Sequence, residues 1–312
     1  MKKLTYYSAL MLISMGFYAC ETGQSIEEEQ ISQEVLTKLV DLGFDIENQS
    51  PILFDGGYLV EGDIYLTDYD LNHMTKGTRL PVEEQYSTDN LVSTGGSRTI
   101  TVYIPVDGTS DGGSGGGGKG GGKGNGKNND AASAKGGKPG GGGGSTSTFS
   151  TAYADALDEA IARYNAQNLE LSFQRVTTSS ADLVFTRLGS RDENSGVLGS
   201  AGFPTASGDP YGQIKMSGIL ESTYGLSVNG IATIMAHEMG HCIGFRHTDY
   251  FDRSISCGGS AYNEGDGGVG ANHIPGTPTD ATLQAQSWML SCTDGSNRNF
   301  NNADKTALDY LY

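Results

Sequence analysis

Three of the chain's five histidines fall within one stretch of eleven residues, His237-Glu238-Met239-Gly240-His241-Cys242-Ile243-Gly244-Phe245-Arg246-His247. On a helix, His237 and His241 stand four apart and project both imidazoles from one face, where they can share a metal ion. Glu238 then lies about 100° round from His237, which suits a base beside a metal better than a ligand. His247 is six residues beyond His241, so an unbroken helix would carry it roughly 240° away. The helix must end first. Gly244 is placed to end it, because glycine takes the left-handed backbone of a helix C-terminus without a Cβ clash. The chain then turns back and presents His247 as a third ligand. Three neutral imidazoles leave a tetrahedral zinc one position for a water, whose pKa falls to about 7 there. Glu238 is the group to take that water's proton and hand it to a leaving amine. A bare His-Glu-x-x-His is a weak signal, since two solvent-facing histidines on an ordinary helix read the same. Gly244 and His247 at their offsets select the hydrolytic reading.

The extended motif resembles that of the metzincin clan of zinc endopeptidases, and within it the bacterial HEIGH-type (dual-action HEIGH) metallopeptidases. His247-Thr248-Asp249 and His273-Ile274-Pro275-Gly276-Thr277-Pro278 add to the likeness, and Met239 stands where that family's name has isoleucine. The likeness runs from about residue 99 to the C-terminus. It implies an α+β fold: a metzincin-like zinc protease domain with a twisted mixed sheet, an active-site helix, a methionine turn beneath the metal and a C-terminal helix. Met289, in Ser287-Trp288-Met289-Leu290, is the methionine so implied, and 300–308 the closing helix. The resemblance further implies one catalytic zinc and a protein or peptide substrate that adds to an edge strand, main chain to main chain.

The flanking sequence supplies elements to hold the histidines. Asn229-Gly230 opens the histidine helix, and Ile231, Ile234 and Met235 give it a buried face. Tyr153, Leu157, Ala160, Ile161 and Tyr164 form a second helical stripe. Strands are expected over 98–104, 169–176, 181–186 and 212–217, with 196–202 as a further edge or inner strand. A glycine-dominated, lysine-dotted tract over about 108–147 cannot bury enough apolar surface to fold. Composition alone would make it a domain boundary. We read it as an insertion, because loop length costs little and a protease sheet short of a strand would cost more. The protease domain is then 98–312. Ahead of it, 21–97 make a small unit with little core. It has a helix with a capping box at Ser25-Ile26-Glu27-Glu28 and a face of Ile31, Val35, Leu36, Leu39 and Val40, ending at Gly43. A single strand over 57–66 and a helix start at Thr67-Asp68-Tyr69-Asp70 follow. The unit is either a pro-region holding the enzyme latent or a spacer. It has no cysteine beyond Cys20 for a cysteine switch.

Residues 1–20 read as an export signal, with Lys2-Lys3, an apolar run over 4–17 that falls short of the roughly 20 residues of a membrane span, and Ala19 before Cys20. Ala19-Cys20 resembles a bacterial lipoprotein processing site, which makes Cys20 a lipidation site and anchors the chain at the cell envelope or surface. An ordinary cleaved signal, and a secreted chain, is the other reading. The 37 acidic against 20 basic residues give a net charge of −17, which argues against nucleic acid as a partner and leaves oligomeric state open. Disulfides are permitted in an exported chain. Cys257 with Cys292 would tie the loop after the helix to the Met289 segment and leave Cys242 a buried thiol, although spacing alone leaves Cys242 open as a partner. Asn263, Glu264 and Asp266 are candidates for calcium without matching a defined loop. Asp249 either orients a ligand histidine or lies at the surface, and His73 and His273 read as ordinary polar residues. The sequence therefore describes an exported zinc endopeptidase with His237, His241 and His247 as ligands and Glu238 as base. Its rival is a surface-anchored adhesion or scaffold lipoprotein with a structural zinc, which the glycine tract and the anchor favour.

Overall fold

The computed structural model describes residues 30–42, 44, 46, 49–73, 85–108, 148–261, 263–265, 268–278 and 286–312. The export signal with Cys20, the capping box at Ser25, the glycine tract apart from its first residue, and Asp266 lie outside the described residues.

The N-terminal part departs from the sequence reading in a way that matters for the site. Helix α1 (Gln33–Leu42) buries Leu39 and Leu42, whereas Val40, expected on that face, is half exposed. The single strand expected over 57–66 is instead a hairpin. Strand β1 (Ile52–Phe54) pairs antiparallel with β2 (Gly57–Val60), and β2 pairs with β3 (Ile64–Leu66), Val60 opposite Ile64. The reversal falls at Glu61 and Gly62, whose φ angles of 53° and 91° are the successive left-handed residues that turn a tight hairpin. Asp63 is thereby left at the hairpin tip. Helix α2 (Asp68–His73) follows, with Asp70 Oδ2 accepting from Thr67 N at 2.8 Å and Asp70 N donating to Thr67 Oγ1 at 3.1 Å. Leu39, Leu42, Phe44, Val60, Ile64, Leu66 and Leu71 enclose a small core.

Residues 85–97, assigned above to the N-terminal unit, are hydrogen-bonded to segments far along the chain. Strand β4 (Tyr86–Ser87) finds its partner far along the chain, in Asn272–His273, and Thr88 N donates to Gly244 O at 2.8 Å. The main sheet begins with β5 (Arg98–Tyr103). After helix α3 (Thr151–Asn165) come β6 (Leu171–Arg175), β7 (Leu183–Arg187), the short α4 (Ser190–Ser195), β8 (Gly199–Ser200) and β9 (Gln213–Met216). The order across the sheet is β6-β5-β7-β9-β8, parallel except for the antiparallel β8 at one edge. Val106 bridges Phe149, so the chain returns from the glycine tract beside the point where it left.

Helix α5 (Val228–Ile243) is apolar on all sides apart from its chemistry-bearing residues, and a helix of that composition must be enclosed. Every residue from Gly230 to Ile243 is buried. It packs on α3, where Tyr164 Oη donates to Ala236 O at 2.7 Å. Helix α6 (Ser254–Cys257), β10 (Asn272–His273) and α7 (Asn302–Leu311) complete the body, the last opened by a reciprocal capping box between Asn301 and Asp304. Trp288 is the largest fully buried side chain and packs against Phe245 and Phe300, which fixes the segment carrying Met289.

Candidate metal centre

The histidine helix is opened by Ser227, whose Oγ accepts from Gly230 N at 3.2 Å, and is closed by Gly244 at φ 110°. Gly244 N–H reaches Gly240 O and His241 O, and the reversal that follows brings His247 back over the helix. The three imidazole rings meet with centroids 4.6, 4.9 and 5.3 Å apart. Each ring is oriented through its Nδ1. His237 Nδ1 lies 2.9 Å from Trp288 O, His241 Nδ1 2.8 Å from Phe245 O, and His247 Nδ1 2.8 Å from Glu264 Oε1. An Nδ1 that donates leaves the Nε2 lone pair free, and all three Nε2 atoms converge.

A fourth donor stands in the same space, and no sequence reading anticipated it. Asp63 Oδ2, at the hairpin tip, lies 3.0 Å from His247 Nε2 and 3.5 Å from His237 Nε2. Ligand atoms of Asp63, His237, His241 and His247 all fall within 4.8 Å of one another. His241 Nε2 and Asp63 Oδ1 are buried without a hydrogen-bond partner. Two such orphans on residues of one cluster carry a desolvation penalty that a bound cation would relieve. The donor set, three imidazoles and a carboxylate, fits a tetrahedral zinc.

The charges around the site agree with cation binding. Burial opposes a charge on His247, but Asp63 and Glu264 outweigh it and hold its pKa well up. The same two negative charges favour a metal cation at that nitrogen. Burial, with the neighbouring charges of His237 and His247, pushes His241 well down and keeps it neutral. Glu238 is buried beside the histidines, its Oε2 without a partner and its carboxylate against Gly199 of the edge strand β8. Burial first, and then the negative charge of Asp63, raises its pKa well above the ordinary carboxylate range. That direction moves a carboxylate toward the range of an effective general base.

The remaining candidates fall into place around this cluster. Glu264 faces the histidine cluster and not the surface. It is fully buried, accepts from His247 and from Ser291 Oγ at 3.0 Å, and faces Arg253 Nη1 at 3.2 Å. Asn263 turns its Oδ1 to Gly265 N at 2.7 Å. Asp249 touches no imidazole and is not at the surface. Its carboxylate accepts from Ser291 N and Oγ and from Ser256 Oγ, tying the loop after the helix to the Met289 segment. A disulfide between Cys257 and Cys292 joins the same two segments, and Cys242 is a buried free thiol. Met289 is buried with its sulfur against Gly240, between the two helical histidines, where a Cβ would stand 2.5 Å from Sδ. His273 pairs with Thr277 Oγ1 at 2.9 Å and takes no part in the cluster. The signal for Asp63 was the polar Glu61-Gly62-Asp63 triplet between two apolar segments, which marks a hairpin turn and not a continuous strand. For Glu264 the only signal was an acid in a loop.

A convergent histidine cluster with an adjoining buried glutamate, on a mixed α and β body, is an arrangement that suits a metallopeptidase. The profile of the dual-action HEIGH metallo-peptidase family matches residues 138–312, more than half of the chain, and the chain belongs to that family. No curated protein matches. Among solved structures, one of myroilysin is similar at 14% identity and a TM-score of 0.34, covering 70% of this chain and 95% of that one. A second of myroilysin matches at 13% identity and a TM-score of 0.30, covering 72% and 96%.

Proposed function

We propose that the chain is a zinc endopeptidase of metzincin type, in which His237, His241 and His247 hold the metal and Glu238 is the general base. The observation that carries this reading is the convergence of three Nε2 atoms, each ring fixed through Nδ1, beside a buried carboxylate with an unpaired oxygen. Zinc in that position supplies Lewis acidity to a scissile carbonyl and acidifies a water. Glu238 takes the water's proton on its free oxygen and delivers it to the departing amine. Gly199 leaves room for that carboxylate on the inner side of β8. The outer side of β8 is the sheet edge nearest Glu238, and an extended peptide would pair there. An apolar residue of the substrate would enter the adjoining cleft of about 210 Å³, between Leu198, Ile234 and Leu290. Met289 serves as the methionine of the turn under the metal. We assign 98–312, with 85–97 folded into it, to the protease domain, and the tract at about 108–147 to an insertion.

The test uses the full chain and the same chain with Glu238→Ala, each loaded with zinc and offered an unfolded general protein substrate. Zinc content should be unchanged, while hydrolysis falls by about 10²–10⁴-fold, the usual contribution of a positioned base. Measurable hydrolysis that is equal in both chains would overturn the assignment of Glu238.

One observation favours a second reading. With Asp63 counted, the cluster offers four protein donors, as a closed structural zinc site does. A scaffold lipoprotein would then need no base, yet Glu238 is buried with an uncompensated oxygen, a cost without a structural return. Export and a lipid anchor at Cys20 remain part of the proposal, on the strength of Lys2-Lys3, the apolar run and Ala19-Cys20. Cys20→Ala should move the chain from the membrane to the soluble fraction of the cell, and retention in the membrane would refute the anchor.

A further inference from the structure

We propose that the hairpin tip is a built-in plug: Asp63 is a fourth, carboxylate ligand of the metal, and residues 63–65 lie along β8 where a substrate strand would pair, so that the chain is latent until the tip withdraws. The inference rests on the zinc-peptidase reading and adds its regulation.

The geometry makes the case twice over. Asp63 occupies the side of the histidine cluster that a reacting carbonyl and water would need, with Oδ2 touching two of the three Nε2 atoms. Its Oδ1, buried and unpartnered, has no role in holding the hairpin together. A carboxylate delivered to an imidazole cluster with one oxygen unsatisfied is explained by a cation that both oxygens can reach. Independently, the backbone on either side of Asp63 takes both hydrogen-bonding groups of Ala201, the residue that follows β8 on that edge. Ala201 N donates to Asp63 O, and Tyr65 N donates to Ala201 O, both at 3.1 Å, with Ile64 bridged to Ala201 in parallel. A peptide adding to that edge needs the same N–H and C=O. One hairpin therefore blocks both the metal and the strand-pairing edge.

The plug is held by weak contacts rather than by a continuous core. Arg253 Nη1 donates to Glu61 O at 2.8 Å, which steadies the left-handed Glu61 at the turn. Lys215 pairs with Asp55 and lies 4.5 Å above the Phe54 ring. Phe54 and Leu59 pack on Leu188 and Val197 of the main body. The hairpin's larger core, around Leu39, Val60 and Ile64, is mostly its own. Such a segment can lift away without dismantling the sheet that carries the histidines.

The distinguishing measurement is binding of acetohydroxamate, a small chelating ligand that needs open coordination positions. It is followed by the visible spectrum of the cobalt-loaded full chain, alongside Asp63→Ala and Asp63→Asn. With the tip seated about 99% of the time, the parent should bind the probe about 100-fold more weakly than Asp63→Ala. Asp63→Asn, which keeps the shape and removes the charge, should fall between them, and it carries the comparison should the alanine chain not fold. Zinc content, measured in the same samples, should stay at one per chain in all three, since three histidines remain. Uncut Asp63→Ala should also hydrolyse an unfolded protein faster than the uncut parent. Equal hydroxamate affinity in the parent and both variants would overturn the plug while leaving the zinc-peptidase reading intact. Loss of zinc on replacing Asp63 would instead mark a closed structural site and overturn both.

Discussion

Glu264 offers a direct test of the role proposed for His247 as a metal ligand. It is fully buried and meets His247 Nδ1 at 2.8 Å, while Arg253 and Arg246 approach it at 3.2 and 3.6 Å. Burial alone would raise its pKa, but His247, Arg253 and Arg246 outweigh burial and hold it at about 2, against an ordinary 4.5. A depression of that size corresponds to about 3 kcal/mol. Because the folded value lies below the unfolded one, this stability is present above pH 4.5 and is lost as the pH falls through about 2. Glu264→Gln keeps the shape and an oxygen for His247 but removes the charge. Two consequences should follow. The metal-free chain should lose about 3 kcal/mol at neutral pH, because two buried guanidiniums lose their counter-charge. Zinc affinity should fall about 10- to 100-fold, or about 1.4–2.7 kcal/mol, because His247 becomes a poorer and less firmly oriented donor. Chelator competition measures the affinity and urea unfolding the stability. Asp249→Asn serves as control, since Asp249 links the same two segments without touching an imidazole. Zinc affinity of Glu264→Gln within twofold of the parent, or an equal loss in Asp249→Asn, would refute an effect through His247.

Two further substitutions probe the supports on either side. Gly199→Ala puts a Cβ 2.2 Å from Glu238 Oε1 at an ordinary φ, so hydrolysis should fall about 100-fold through a displaced base, with zinc content unchanged; the comparison is best made in chains that also carry Asp63→Ala, and unchanged rates would place the working base elsewhere. Asp304→Ala removes the acceptor for Asn301 N, Trp288 N and Gln85 Nε2 together, and should cost about 2–4 kcal/mol in urea unfolding.

What the sequence made legible was local and periodic. The spacing of His237 and His241, and the glycine at 244, follow from helix geometry within eleven residues, and the helix ends at Gly244 with the left-handed φ that reading required. The stripe from Tyr153 to Tyr164 is buried at each named position for the same reason. Errors entered where a run of one chemical character contained a reversal. Residues 57–66 alternate well enough for one strand, and only the Glu61-Gly62-Asp63 triplet betrays the turn. The pairing of Tyr86–Ser87 with Asn272–His273 was equally out of reach, since neither two-residue segment has a period of its own.

Asp63, which the sequence reading missed, and Glu264, which it took as a calcium candidate, went unplaced for the same physical cause. A metal ligand on a helix is announced by its neighbours, whereas Asp63 lies 184 residues before His247 and Glu264 lies 17 residues after it. Nothing in the local composition tells either acid from the surface carboxylates of a chain with net charge −17. What identifies them is burial beside cations or imidazoles, and burial is a property of the assembled fold. Glu264 completes the orientation of a ligand and belongs to the site permanently, held by two arginines of the same body. Asp63 arrives on a hairpin with its own core, so its contact with the histidines can be lost without disturbing theirs. That difference in attachment separates a supporting residue from a removable one.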